Sequence, residues 1–206
     1  MKKKNVLLFV DYVARTGFGT VSKNIVSEVK KAFGDNLILD IIAINYFGEP
    51  YYEDENTYVV SAPLNDDNKD NYGRYFFLKV LKESDAYDGV FICQDVGIIL
   101  PIVEVMEHIL KEKKKNNIKS FKAIYYFPVD CALVPALVNH LEFFDLLVTY
   151  TQYGKDEVLK LRPELKTKIK VIPHGNNSKE FYPIEDKNEV KKFRDEYFGE
   201  NSSKYI

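Results

Sequence analysis

Residues 5–33 read NVLLFVDYVARTGFGTVSKNIVSEVKKAF, and the stretch divides into strand, glycine-rich turn and helix. The apolar run Val6–Val10 has the composition of a buried strand. Arg15-Thr16-Gly17-Phe18-Gly19-Thr20 then reads as a glycine-rich loop. From there Val21, Ile25, Val29 and Phe33 recur every four positions, the spacing of a helix. Strand, glycine loop and helix in this order open ligand sites in α/β domains. Glycines let the backbone approach a ligand, and the first amides of the helix point at it unpaired. A tight strand-to-helix turn with no ligand has the same sequence, so the stretch decides the fold class and leaves the ligand open.

The alternation continues along the chain. Leu37–Ile44 (LILDIIAI), Gly89–Cys93 (GVFIC), Phe121–Phe127 (FKAIYYF), Leu146–Tyr150 (LLVTY) and Ile169–Ile172 read as further strands. Thr57–Ala62 reads as a short edge strand ended by Pro63, and 45–57 as an irregular loop. Residues 65–72 are polar turn residues, and the spacing predicts a helix over about 73–84. Pro101 reads as the first-turn proline of another helix, with Ile102, Val105, Met106 and Ile109 as its apolar stripe. Short helices are expected from Pro135 and from Gly154, and a weakly amphipathic stretch from Val190 to Tyr197. Strands alternating with helices call for an α/β fold with a Rossmann-like, mostly parallel sheet flanked by helices on both faces. Ligands in such sheets bind beyond the carboxyl ends of the strands, where the strand order reverses. Loops 11–20, 94–97, 128–133 and 151–155 leave those ends.

Composition narrows the function classes. A length of 206 residues fits one α/β domain, or one domain and a fragment of another. With 46% apolar residues, 15 tyrosines and 14 phenylalanines, the chain can fill a core without tryptophan. A net charge of −2 gives no electrostatic case for nucleic acid. The lysine clusters Lys2–Lys4 and Lys111–Lys115 read as solvated faces or helix ends, and His108 and His140 as surface residues. The N-terminus imitates a signal peptide, but Val6–Val10 is too short for its apolar core. No stretch approaches the roughly 20 apolar residues of a transmembrane segment. Cys93 and Cys131 are isolated and form neither a disulfide framework nor a metal set, so a reducing, cytoplasmic location is expected.

Several chemistries lack their residues. The nicotinamide fingerprint needs a third glycine where Ser22 stands, and an acid at the end of the second strand where Asn45 stands. There is no Gly-Lys-Ser/Thr phosphate loop, no Asp-x-Asp, no zinc spacing and no Gly-x-Ser-x-Gly elbow. What remains is a set of polar groups at the strand ends: Asp11, Arg15, the Gly17–Thr20 amides, Gln94, Asp95, Asp130, Tyr150, Gln152 and Tyr153. Arg15 and the amides suit an anion such as a diphosphate. Asp95 and Asp130 suit sugar hydroxyls or a base, but Asp95 reads equally as a helix N-cap and Asp130 as a cap for the turn around Cys131. Asp11 reads as ordering its own loop, and Tyr125-Tyr126-Phe127 as core.

Residues 171–183, Val-Ile-Pro-His-Gly-Asn-Asn-Ser-Lys-Glu-Phe-Tyr-Pro, resemble the segment that closes the N-terminal domain of family 4 glycosyltransferases of GT-B fold. Ile172, Pro173, His174, Gly175, Phe181 and Pro183 match that pattern; Asn176 and Asn177 replace its usual valine and aspartate. Leu147–Leu159 is similar to the preceding family segment, and Gly17-Phe18-Gly19 to the glycine loop beside the donor diphosphate. The resemblance spans about residues 1–185. It implies sugar transfer from a UDP- or GDP-sugar to a sugar or glycan acceptor, with retention at the anomeric carbon and no obligatory cofactor or metal. It assigns residues 1–184 to the N-terminal, acceptor-side domain and 185–206 to a polar segment leading to an absent C-terminal donor domain. On its own the chain is then expected to be inactive. Arg15, Gly17, Phe18 and Gly19 would approach the diphosphate, while Asp95, Gln152 and Tyr153 would bind substrate. Asp130 matches the aspartate of the family's His-Asp pair, with Val129 in place of the histidine, and is the candidate catalytic residue. His174 and Gly175 would form the hinge. The alternative is a non-catalytic glycan- or nucleotide-binding module of the same fold, or an interaction domain. A reading frame beyond Ile206 with paired glutamates would favour the enzyme.

Overall fold

The structure, a computed structural model, describes residues 3–63, 70, 72–178 and 181–199. The expected turn at 65–72 falls largely outside them. Eight strands make one sheet: β1 (Lys4–Asp11), β2 (Leu37–Ile44), β3 (Tyr51–Asp54), β4 (Thr57–Ser61), β5 (Gly89–Cys93), β6 (Lys122–Phe127), β7 (Leu146–Thr149) and β8 (Ile169–Val171). Their spatial order is β3-β4-β2-β1-β5-β6-β7-β8, and every pairing is parallel except β3 with β4. The expected Rossmann-like α/β fold is therefore present.

Strand alternation sorts the core into two layers. Leu7 and Phe9 of β1 point to one side with Ile42, Ile92, Tyr125 and Phe127; Leu8 and Val10 point to the other with Ile41, Ala43 and Val59. The first side packs against α2 (Arg74–Glu83), α3 (Val96–Lys115), α4 (Pro135–Val138) and α5 (Gln152–Leu161). Phe9 stacks on Phe77 of α2 at 4.6 Å, and Tyr125 on Phe127 and Phe144 at 4.5 and 4.9 Å. The second side packs against α1 (Gly17–Phe33). The most deeply buried line of α1 is Gly19, Ser22 and Val26, whereas Phe33 is exposed. The fourfold recurrence Val21-Ile25-Val29 thus flanks the contact line instead of forming it.

Three expectations are corrected. The stretch 45–57 is not irregular, because β3 pairs antiparallel with β4 across Glu55-Asn56 and makes β3, not β4, the sheet edge. Tyr52 packs on Tyr58 at 4.8 Å, Tyr12 donates to Glu53 at 2.6 Å, and Lys30 of α1 pairs with Glu53 and Asp54. Pro101 does not open its helix. The helix begins at Val96, and Val96, Ile99, Ile102, Val103, Met106 and Ile109 are its buried stripe, with Val105 exposed. Nor are the lysines near residue 113 all solvated: Lys113 is buried and donates to the Ser84 carbonyl at 2.9 Å and to Asp85 at 2.6 Å. Pro101, on the exposed side of α3, lacks the N–H that would bond the Gly97 carbonyl. Pro101→Ala is expected to stabilise the chain by about 1–2 kcal/mol, read as a higher urea midpoint; a midpoint at or below that of wild type would refute this.

The chain divides into two compact units, Met1–Pro173 and His174–Ile206. The second contains α6 (Lys187–Phe198), whose N-cap Asp186 accepts from the Asn188 amide at 2.8 Å. Phe193 and Tyr197 stack along one side of it at 4.4 Å. Among the described residues no helix is long and apolar enough to cross a membrane.

Candidate substrate crevice at the strand ends

The chain leaves β1 through α1 to β2 on one side, while β5 joins β1 on the other, so the strand order reverses beside β1. Loops part at such a point and leave a crevice at the carboxyl ends. Asp11 ends β1, Asn45 follows β2, Gln94 and Asp95 follow β5, Asp130 follows β6, and Thr151–Tyr153 follow β7.

Asp11 is buried at 3% exposure, and its carboxylate accepts from Thr16 Oγ1 at 2.6 Å and Gln94 Nε2 at 3.1 Å. The Asn45 Nδ2 group approaches both carboxylate oxygens, at 3.3 and 3.5 Å. Asp11 therefore orders its loop, as expected, and also joins the ends of β2 and β5. Thr16 is the N-cap of α1, and its Oγ1 accepts from the Gly19 amide at 2.9 Å. Gly17, Phe18 and Gly19 are thus the first helical turn, not a loop preceding it. The two glycines differ in kind. A Cβ on Gly19 would lie 2.2 Å from the Ala14 carbonyl oxygen, whereas one on Gly17 would meet nothing within 4 Å. Phe18 packs partly into the α1 layer, and Arg15 is exposed just ahead of the cap.

Asp95 occupies the N-cap position of α3, and its carbonyl accepts from Ile98 and Ile99. Its side chain makes no capping bond, so the cap is a backbone one. Burial raises its pKa, and the charges of Asp130 and Asp11 add to this. Asp130 is exposed on the segment between β6 and α4, and among the described residues no hydrogen bond ties it to the turn around Cys131. The two carboxylates named in the sequence are thereby brought within electrostatic reach of each other. Because the folded chain raises the Asp95 pKa, it holds that proton more tightly than the unfolded chain does. Ionising Asp95 costs stability, which falls as pH rises above the ordinary carboxylate value. Asp95→Asn is expected to melt above wild type at neutral pH, with the difference gone by about pH 3.5. Calorimetry showing equal melting temperatures at neutral pH would count against this.

On the far wall, Thr151 caps α5 by accepting from the Gly154 amide at 3.1 Å. Gln152 and Tyr153 stand in the first turn; Gln152 donates to Asp156 at 2.7 Å, and Tyr153 is 47% exposed. Gly154, expected from the sequence to open the helix, lies inside its first turn. A Cβ there would lie 3.1 Å from the Val129 Cβ and 3.2 Å from the Thr149 Cβ, so its absence lets α5 close on the segment carrying Asp130. Buried Glu157 anchors the same segment by accepting from the Leu133 amide at 3.2 Å, and pairs with Lys160. Nothing local in the sequence marks Glu157, whereas a threonine three residues before a glycine marks both Thr16 and Thr151 as caps.

Beneath the crevice Tyr125 donates to the Gln94 carbonyl at 3.0 Å, and Tyr126 to that of Ile172 at 2.9 Å. Cys93 lies 3.7 Å from the Tyr150 hydroxyl, and burial pushes its thiol up to about 11, so the thiol form is favoured at neutral pH. His174 and Gly175 begin the second unit, directly after Pro173. Among the described residues no cluster of three or more His, Cys, Asp or Glu is arranged to hold a metal ion.

No protein-family model and no curated protein sequence matches the chain. Solved structures do. One, described as trehalose-6-phosphate from E. coli bound with UDP-2-fluoro glucose, is 14% identical with a TM-score of 0.51, over 94% of this chain and 54% of that one. Another is a trehalose-6-phosphate synthase studied with bisubstrate glycomimetics for glycosyl transfer with retention. It is 15% identical with a TM-score of 0.50, over 92% of this chain and 54% of that one. This chain therefore spans about half the length of the structures it matches, and its fold is the Rossmann-like α/β fold of a GT-B half-domain.

Proposed function

We propose that the chain is the acceptor-side half of a retaining GT-B glycosyltransferase, of the family 4 type, that moves a sugar from a UDP- or GDP-sugar to a sugar or glycan acceptor. The observation that carries this reading is the pair Asp95 and Asp130 at the switch-point crevice of a GT-B half-fold, the Asp130 charge adding to the burial that raises the Asp95 pKa. Carboxylates accept hydrogen bonds from sugar hydroxyls, and a partly desolvated one does so more strongly than one in water. Asp95 orients the acceptor, and exposed Asp130 accepts the hydrogen of the attacking hydroxyl. Gln152 and Tyr153 bound the acceptor on the opposite wall. Arg15 and the amides of Gly17 and Phe18 face the diphosphate that leaves, while the Gly19 amide is held by the Thr16 cap. A solved neighbour carries a UDP-sugar analogue, which supports this class of donor. Contacts to the donor from a second domain are needed for turnover, so the 206 residues alone bind acceptor without transferring to it.

The test offers the full product of the gene, beside the 206-residue chain, UDP- and GDP-sugars with mono- and oligosaccharide acceptors. Transfer with retained anomeric configuration by the full product alone is expected. Failure of the full product to consume any donor, or efficient transfer by the short chain, overturns the reading.

A further inference from the structure

We infer that Asp11 is a positioning residue of the crevice: through Thr16 it sets the first turn of α1, and with it the affinity for the donor diphosphate, without touching substrate. This rests on the proposed reading that the Gly17 and Phe18 amides face that diphosphate. At 3% exposure Asp11 is too buried to bind substrate itself. Burying a carboxylate is costly unless its lone pairs are filled, and here three elements supply neutral donors: Thr16 from the α1 approach, Asn45 from beyond β2 and Gln94 from beyond β5. Thr16 carries the link onward. Its hydroxyl hydrogen is committed to Asp11, which leaves its lone pairs for the Gly19 amide, so carboxylate, hydroxyl and amide form one relay.

A second observation supports a built network over an incidental contact. Asn45 has φ 58, a left-handed conformation uncommon outside glycine, and its side chain holds it there against Asp11. Gln94 is fixed in turn by the Tyr125 hydroxyl on its carbonyl. The ends of three neighbouring strands are therefore tied to the first turn of one helix.

The 206-residue chain is used with UDP as the probe, reading the Gly17 and Phe18 amide shifts for binding and Gly19 amide hydrogen exchange for the turn. Asp11→Asn sets an amide against the Gln94 or Asn45 amide. It is expected to weaken UDP binding about tenfold and to speed Gly19 exchange by a similar factor. In Asp11→Asn with Gln94→Glu the new amide meets a carboxylate, and both readouts are expected to recover to within about threefold of wild type. Thr16→Ser should behave as wild type and Thr16→Val as Asp11→Asn, which decides the matter if Asp11→Asn does not fold. Gly19 exchange unchanged in Asp11→Asn or Thr16→Val overturns the relay. If wild type binds no UDP, the claim on donor affinity is overturned, whatever the full gene product does with a donor, and the exchange series judges the Asp11–Thr16–Gly19 relay alone. If UDP binding holds while exchange rises, the turn does not set affinity and the inference is overturned.

Discussion

Gly19→Ala is expected to destabilise the chain by about 3 kcal/mol or more, while Gly17→Ala, two residues away in the same Gly-x-Gly, changes stability by no more than about 0.5 kcal/mol. The contrast follows from what each new methyl group meets. At Gly19 it would sit 2.2 Å from the Ala14 carbonyl oxygen and 3.3 Å from both the Ala14 carbonyl carbon and Thr16 Oγ1. The first of these is backbone, so relief requires moving the loop between Asp11 and Thr16. That loop is held by the Asp11–Thr16 bond at 2.6 Å, and the helix by the Thr16–Gly19 bond at 2.9 Å. Moving it therefore forfeits the cap, itself worth about 1 kcal/mol, and loosens a buried carboxylate from its donors. At Gly17 the methyl group would enter open space, and alanine is the better helix former. Urea unfolding of both variants beside wild type settles it: a Gly19→Ala midpoint equal to wild type would mean that α1 does not approach Ala14 as described. Gly19 is thus a glycine that packing requires, whereas packing places no such demand on Gly17.

What could be read from the sequence depended on how local its cause was. Leu37–Ile44 emerges with the same bounds as a strand because an apolar run covered on both faces leaves little ambiguity. The edge strand β3 was hidden because its residues are mostly exposed and end in acids, so it carries no core signal. Pro101 has the signature of a helix start because proline is a frequent first helical residue, but the buried Val96 and Ile99 ahead of it extend the stripe back by a turn. In the crevice, the proximity of Asp95 and Asp130 was implicit once β5 and β6 were neighbours, since each acid follows one of them. The partners of Asp11 were not legible. Asn45 lies 34 residues away and Gln94 83, and only the strand order brings them together. Gly154 and Glu157 fall in the same class, because their role is to hold another segment in place.

In the full gene product, Asp130→Ala is expected to lower kcat/KM for transfer about 100- to 1,000-fold, the range for loss of a positioned proton acceptor. Asp130→Asn keeps a hydrogen-bond acceptor but takes no proton, so a loss equal to that of alanine assigns proton acceptance, and a smaller one assigns orientation. Asp95→Asn acts on acceptor binding and raises KM about tenfold. The two acids address one acceptor, so the double variant is expected to lose less than the product of the single losses. The pH profile separates this pair from two independent carboxylates. Burial and the Asp130 charge hold the Asp95 pKa above the usual carboxylate range, so the acid limb of kcat/KM sits higher than an isolated aspartate would put it. Removing the Asp130 charge lowers the Asp95 pKa, and the residual activity of Asp130→Asn should carry its acid limb to lower pH. An acid limb that stays in place would show that Asp95 and Asp130 do not sense each other during turnover. A loss below about twofold in Asp130→Ala would move the chemistry elsewhere in the crevice.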